Sequence, residues 1–480
     1  MAQDQQLEPV EAPFIPLRPA QDDDLDDVED EQAGRVPTDG LRSLADGDDA
    51  IEDPGERFRT ATQIRADDLT EQQLDELRRF ALPDDELLDD DDLVTGAISD
   101  RDNAGDDPFE PLGLRTGALT WFPVLDLAVG YDTNPGESVN GREVTTFTIA
   151  PQLRLETDWR RHAFEGEVIG SAELFDDDRD TEFGLNADGS LRLDVGRAST
   201  ITFRSSYVFD TEQESDENAP AGASDVTDTQ ELRGGVTVAR QVGIISVQTG
   251  GEFARFLFSD TPLVTGGSAS NDDRDRYEFA GSLRLERTEG PLFRPFVESE
   301  LTLRDFDDDL DRNGLDRDSF GYRASLGLNV AEDKPLRGSA SIGLVGEDFD
   351  DDALDDLLTV AVQAALTWDI TSLTAATLNV ETEVSPTTQA GSGVEVTRSV
   401  DLGVTHALRR NVDIRAGAEV SESEFSGIDT STRTYGARGG ITWRTSRSIA
   451  FRLDGTYEHE PNGGDDIDRF TLEAGVTLRR

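Results

Sequence analysis

From Leu114 to the C-terminus the sequence alternates, with apolar side chains at every second position over segments of roughly 10–15 residues. Leu358, Val360, Val362, Ala364, Leu366, Trp368 and Ile370 fall on one face of such a segment, and Thr359, Gln363, Thr367 and Asp369 on the other. Phe320, Tyr322, Ala324, Leu326, Leu328 and Val330 repeat the pattern against Arg323, Ser325 and Asn329. The C-terminus does the same, with Phe470, Leu472, Ala474, Val476 and Leu478 against Arg469, Thr471, Glu473 and Thr477. A period of two is a strand period, because successive side chains leave a pleated strand on opposite sides. These segments exceed the usual soluble strand of about five to six residues and match tilted membrane-spanning strands of about ten.

About eighteen such segments follow one another, and their connections alternate in length. Short ones fall at 158–162, 195–198, 241–243, 288–291, 332–335, 370–373, 408–411 and 446–448. Long ones fall at 133–142, 175–181, 210–227, 260–273, 305–318, 348–356, 386–393, 425–431 and 460–468. Loops sorted by length onto two ends indicate an outer-membrane barrel, with tight periplasmic turns and longer outside loops. The expected fold is therefore all-β: a transmembrane antiparallel up-and-down β-barrel over residues 111–480. An even strand count returns both termini to the periplasmic side; sixteen or twenty strands also satisfy this parity.

The face opposite the apolar one carries both signs of charge, at Arg154, Glu156, Glu165, Glu167, Arg192, Arg204, Glu298, Glu300, Arg304 and Arg323. A small packed core cannot hold that many charges, since each unpaired buried charge costs several kcal/mol. A wide barrel with a wet lumen can, so these ten are the candidate pore-lining residues. The arginines either line a path for a polymer or anion or brace the wall by pairing with the glutamates. Aromatic residues gather toward strand ends (Trp121, Phe122, Tyr131, Trp159, Phe209, Phe258, Phe306, Tyr322, Trp368 and Trp443), where membrane interfaces favour them.

Residues 1–110 differ. They hold 35 acids and nine arginines, a net charge of −26, out of −58 for the whole chain. Such a stretch cannot bury enough apolar surface to offset chain entropy, so it is expected to be a mostly disordered acidic periplasmic tail. Within it, Thr70 and Gln73 form a capping box and Leu69 and Leu74 a hydrophobic staple. Leu74, Leu77 and Ala81 then share a face before Pro83, which predicts a short helix at about 71–81, either a stray amphipathic turn or a docking helix. Met1-Ala2-Gln3-Asp4 leads straight into polar sequence, so a signal peptide is expected to have been removed already.

The absence of cysteine excludes disulfides and thiolate metal sites, and a pI near 4.1 argues against nucleic-acid binding. His162, His406 and His459 are scattered, and no nucleophile elbow, zinc helix or phosphate loop is present, so no enzyme is expected. The loop Asp309 to Asp318 begins like a calcium loop, with Gly314 at the sharp turn, but Phe320 stands where the bidentate Glu belongs. The readings left open there are a looser Ca2+ site at Asp309, Asp311, Asn313 and Asp316 and a solvated acidic loop. Further acidic loops (Asp176 to Asp178, Asp348 to Asp352) would form an outer crown. That crown either shares divalent cations with lipopolysaccharide and repels anions, or simply aids solubility.

The run Asp107-Pro108-Phe109-Glu110-Pro111-Leu112-Gly113-Leu114-Arg115-Thr116-Gly117, then Phe122-Pro123 and Gly130-Tyr131-Asp132-Thr133-Asn134-Pro135, resembles the opening of the putative β-barrel porin 2 family of proteobacterial outer-membrane proteins. The resemblance covers 107–480. It implies an outer-membrane channel whose partners are membrane lipid and lipopolysaccharide. Similar barrels accompany polysaccharide secretion, so it further implies exopolysaccharide export with periplasmic export machinery as partner. The alternatives are a general diffusion porin for small solutes and a non-conducting anchor. The chain ends in Arg480, where barrels commonly end in an aromatic.

Overall fold

The computed structural model describes residues 109–480 apart from 138–140, 178, 180, 197, 213–225, 291, 331–333 and 462–465. The acidic tail and the helix expected at 71–81 lie outside the described residues. In chain order the strands are β1 (Leu114–Thr116), β2 (Leu119–Asp132), β3 (Val144–Thr157), β4 (His162–Phe175), β5 (Glu182–Asp194), β6 (Ser199–Thr211), β7 (Asp228–Val242), β8 (Ile245–Phe258), β9 (Thr261–Pro262), β10 (Ser268–Ala269) and β11 (Arg276–Arg287). They continue as β12 (Phe293–Phe306), β13 (Ser319–Val330), β14 (Leu336–Phe349), β15 (Leu357–Thr371), β16 (Thr374–Pro386), β17 (Val394–Arg409), β18 (Val412–Phe425), β19 (Ser431–Ser446), β20 (Ile449–Glu460) and β21 (Ile467–Arg479).

The eighteen long strands, β2–β8 and β11–β21, each pair antiparallel with their sequence neighbours. The ring closes where β2 pairs with β21, from Val124↔Arg479 to Asp132↔Thr471. Closure leaves no long edge exposed, which a strand in hydrocarbon requires. The short β1 folds back on the start of β2. The other small strands, β9 and β10, form a separate hairpin within the long β8–β11 connection.

The loop alternation is as expected. Four of the short turns have only two residues, and the local chemistry decides how each is made. Gly243, at φ +61, supplies the left-handed conformation that a tight hairpin favours, and Val242 and Ile245 stay in register beside it. Ser372-Leu373, Arg410-Asn411 and Arg447-Ser448 contain no residue with positive φ. Each of those hairpins instead shifts register just before the turn, between Asp369 and Thr371, Ala407 and Arg409, and Arg444 and Ser446. A bulge there restores the twist that an ordinary turn would splay.

The molecule is inverted relative to a water-soluble domain. Leu358, Leu326 and Leu301 point outward and are 64%, 63% and 54% exposed. Arg276, Glu347 and Asp126 point inward and are 4%, 2% and 1% exposed.

Aromatic side chains set the vertical scale. Tyr131, Tyr207, Tyr277, Tyr322, Tyr435 and Tyr457 all face outward near the long-loop ends of their strands. Trp121, Trp368 and Trp443 face outward near the short-turn ends, and Trp159 sits in a short turn. Three of the tyrosine hydroxyls donate to polar groups beside them: Tyr131 to Glu143, Tyr207 to Gln230 and Tyr457 to Asp468. An apolar band bounded by amphipathic rings is the outside that a bilayer selects. One expectation needs correction: Phe122, Phe258 and Phe306 face the lumen and belong to no girdle. Phe122 adjoins the outward Trp121, so alternation sends it the other way.

Candidate functional site

All ten residues expected to line the pore point inward, on the face opposite the exposed apolar side chains, and all are half-buried. The structure brings several of them together. Arg154 pairs with Glu156 and lies 4.5 Å over the Phe122 ring, while Glu167, opposite Arg154 on β4, accepts from Gln152. Arg192 meets Asp194 at 3.3 Å, and Arg204 donates to Thr237 at 3.4 Å. Glu298 accepts from Arg284 at 2.9 Å, and Glu300 stands directly across from Arg323. Arg304 pairs with Glu347 and lies 3.4 Å from Glu278.

The contacts of Glu298, Glu300, Arg304 and Arg323 belong to a brace on β7–β14 whose other members the sequence analysis did not single out. In its upper part, Arg233 pairs with Glu231 and reaches Glu252 at 3.0 Å. Arg276 donates to Glu278 at 2.8 Å and lies 3.8 Å over Phe256, and Ser319 donates to Glu347 at 2.6 Å. In its lower part, Arg284 bridges Glu286 and Glu298 and covers Phe296 at 3.6 Å. A guanidinium held by carboxylates on one side and an aromatic face on the other keeps its charge satisfied in poorly hydrated surroundings. Strands β11 and β12 together present Arg276, Arg284, Arg294 and Arg304 against Glu278, Glu286, Glu298 and Glu300 to the lumen, an even balance.

A second brace closes the seam. Arg452 on β20 reaches Asp126 on β2 at 2.9 Å and also pairs with Glu473 on β21, while Thr477 donates to the other Asp126 oxygen. Nearby, Arg438 and Asp401 meet at 2.7 Å and Arg415 and Asp454 at 3.2 Å.

The wall at β4–β5 is built differently. Its inward charges are Glu165, Glu167, Glu173, Glu182, Asp188 and Asp194 against Arg192 alone. The register sets Glu167 opposite Asp188 and Glu173 opposite Glu182. Like charges directly across a ladder repel, a repulsion that water and mobile counter-ions screen.

In the loop with the calcium-like pattern the central carboxylate is engaged by the chain itself. The Asp311 carboxylate accepts from Arg317 Nε at 2.9 Å and from the backbone N–H groups of Asn313 and Leu315 at 2.7 and 2.9 Å. Asp309 is exposed, and Asp316 accepts from the Asp318 backbone. Among the described residues no group of three or more His, Asp or Glu side chains is arranged to hold a metal ion. His162 accepts from the Asp194 backbone N–H, His406 contacts Thr374 and His459 contacts Asp468, each on its own part of the wall.

Solved structures similar to the chain include the outer membrane protein opdK of Pseudomonas aeruginosa (11% identity, covering 75% of this chain and 99% of that one, TM-score 0.38). OccK2 (OpdF) of the same organism, in complex with glucuronate, covers 75% and 98% at 11% identity and TM-score 0.41. The siderophore receptor PirA from Pseudomonas aeruginosa covers 75% and 80% at 10% identity and TM-score 0.41. Likenesses at this level carry no argument about cargo. No curated protein matches the chain. Residues 107–480 match the family described as Putative beta-barrel porin 2, and the chain belongs to that family of porin-like barrels.

Proposed function

We propose that the protein is an outer-membrane channel through which hydrophilic solutes diffuse, passing cations and neutral molecules more readily than anions. The observation that carries this reading is the unequal lining of the lumen. The arginines of β11–β12 are matched by glutamates, whereas β4–β5 carry six acids against one arginine. A wall on which acids outnumber arginines lowers the local potential, concentrates cations and repels anions.

Export of a polysaccharide, the cargo implied by the family resemblance, makes different demands. Sugar rings slide on bare aromatic faces, and here Phe122, Phe256, Phe258, Phe296 and Phe306 each carry a guanidinium over the ring. Diffusion of small solutes is thus the reading the lining favours. Single-channel recording in planar bilayers tests it: a stable conductance is expected, with a reversal potential in a KCl gradient displaced toward that of K+. A silent barrel would point to the anchoring role instead. Loss of surface polysaccharide on deletion of the gene would restore export. Membrane fractionation checks the location.

A further inference from the structure

The long connections are tied together by buried side chains, most tightly at Arg317. This residue lies in the β12–β13 connection and is 2% exposed. Its Nε and Nη2 hold Asp311 at 2.9 and 2.7 Å. Its Nη1 donates to the backbone carbonyls of Thr387 and Ser392, and Nη2 donates to that of Gln389 at 3.2 Å. All three guanidinium nitrogens are thereby engaged, by four hydrogen bonds and one further ion-pair contact. Asn313 Nδ2 adds a bond to the Thr388 carbonyl at 3.1 Å.

Residues 387–393 belong to the β16–β17 connection, so these bonds pass over the intervening β14–β15 connection, where Leu354 is only 4% exposed. Loops standing upright on a rim touch their immediate neighbours; loops that meet beyond a neighbour lean over the mouth. Phe349, an inward-facing residue at the top of β14, confirms the lean: its ring packs so closely on Gly393 that a Cβ there would lie 2.3 Å from it. The ties continue to either side. Arg312 holds Asp273 and Asn271 of the β8–β11 connection at 2.8 and 3.0 Å. From the same connection Arg274 makes a two-pronged pair with Glu212 and lies 4.0 Å over inward-facing Phe258. On the far side Gly427 abuts the Gly391 carbonyl.

We propose that Arg317 is the keystone of a fixed cap that leans over the β7–β19 side of the long-loop mouth and sets the size limit of solutes entering there. The size limit rests on the channel reading; the cap does not. Arg317 acts through the loops it positions. Removing its guanidinium leaves the buried Asp311 carboxylate without its counter-charge and cuts all three bonds to the 387–393 carbonyls, so the loops separate. Lysine keeps the charge but cannot serve four acceptors in the plane that guanidinium spans.

The experiment uses the full chain in liposomes: wild type, Arg317→Ala, Arg317→Lys and Asp311→Asn. Swelling rates with uncharged sugars and polyethylene glycols of graded size are read beside single-channel conductance and protease cleavage within 307–318 and 387–393. The expected result is a higher size cut-off, a larger conductance and new cleavage in Arg317→Ala, with smaller changes in the same direction for the other two. Wild-type cut-off and conductance in all three variants would overturn the proposal, even if the loops become cleavable. If no protein conducts, the channel reading and the size limit fall together. Cleavage then decides the cap alone: new cuts in Arg317→Ala sustain it, and an unchanged pattern refutes it.

Discussion

Leu127→Arg tests where the membrane sits. On β2, Trp121 and Tyr131 both face outward, ten residues apart. At about 3.4 Å per residue they are separated by about 34 Å along the strand. A tilt of about 40° reduces that to about 26 Å along the membrane normal, close to the apolar band of about 25 Å expected of such barrels. Leu127 shares their face and lies about 16 Å above the Trp121 level and about 10 Å below that of Tyr131, within about 3 Å of the midplane. Arginine there should destabilise the barrel by about 2–4 kcal/mol, against about 0–1 kcal/mol for Tyr131→Arg at the interface, where Glu143 is also within reach. The two variants should thus differ by at least about fivefold in folding equilibrium. The assay is reversible folding into lipid vesicles across a guanidinium titration, followed by tryptophan fluorescence and gel mobility without boiling. Equal costs at the two positions, or a larger one at Tyr131, would refute the assignment of the tyrosine and tryptophan rings to the two interfaces.

Three further outcomes follow from the same structure. Asp126→Ala removes a buried partner of Arg452 and Thr477 across the closing seam; because Arg452 keeps Glu473, the loss should fall near the low end of the range for broken buried pairs, about 3 kcal/mol, and an unchanged denaturation midpoint would contradict it. Glu137, in the loop after β2, is pushed up to about 7, first by burial and also by Glu458 and Glu460, with the 2.8 Å contact to Arg469 opposing. A raised folded-state pKa contributes stability that is complete below the unfolded value of about 4.5 and lost as pH rises through about 7. The loop should accordingly resist hydrogen exchange better at pH 5 than at pH 8, and Glu137→Gln should abolish that difference; a wild-type loop indifferent to pH contradicts the assignment. Finally, combining Glu165→Gln, Glu167→Gln and Asp188→Asn should lower the K+/Cl− permeability ratio. The change should be largest near 0.01 M salt, where the screening length is about 30 Å, and small near 1 M, where it is about 3 Å. A ratio that does not move places the selective path elsewhere.

The strands, their number and the sorting of loops onto two ends were legible because alternation is a local property, fixed by the pleat wherever a strand forms. The same parity also carried information that the list of aromatics at strand ends overlooked. Phe122 beside Trp121 shows that nearness to a strand end does not decide which side of the wall a ring takes. Asp311 shows the opposite limit. Its spacing to Asp309 and Asn313 is that of a cation loop, but its carboxylate is held by Arg317, six residues on, whose guanidinium also binds three carbonyls 70–75 residues away. No local pattern encodes which way a loop leans.

The same division runs through the ion pairs of the lumen. Arg154–Glu156, Arg192–Asp194, Glu231–Arg233, Arg276–Glu278 and Arg284–Glu286 are all two residues apart on one strand. Side chains at that spacing share a face, so these pairs can be read from the sequence once the strand is recognised. Arg304–Glu347 spans two strand boundaries, and Arg452–Asp126 crosses the seam between the ends of the chain. Those pairs exist only in the observed register, and a one-residue slip of either strand would turn the partner toward lipid. A buried guanidinium stranded without its carboxylate costs several kcal/mol. The cross-strand pairs therefore penalise the wrong registers that alternation alone would tolerate, because a slip by two residues preserves every apolar face. In this barrel the charged interior fixes the register, a task that packing performs in a soluble core, and the apolar exterior fixes only depth.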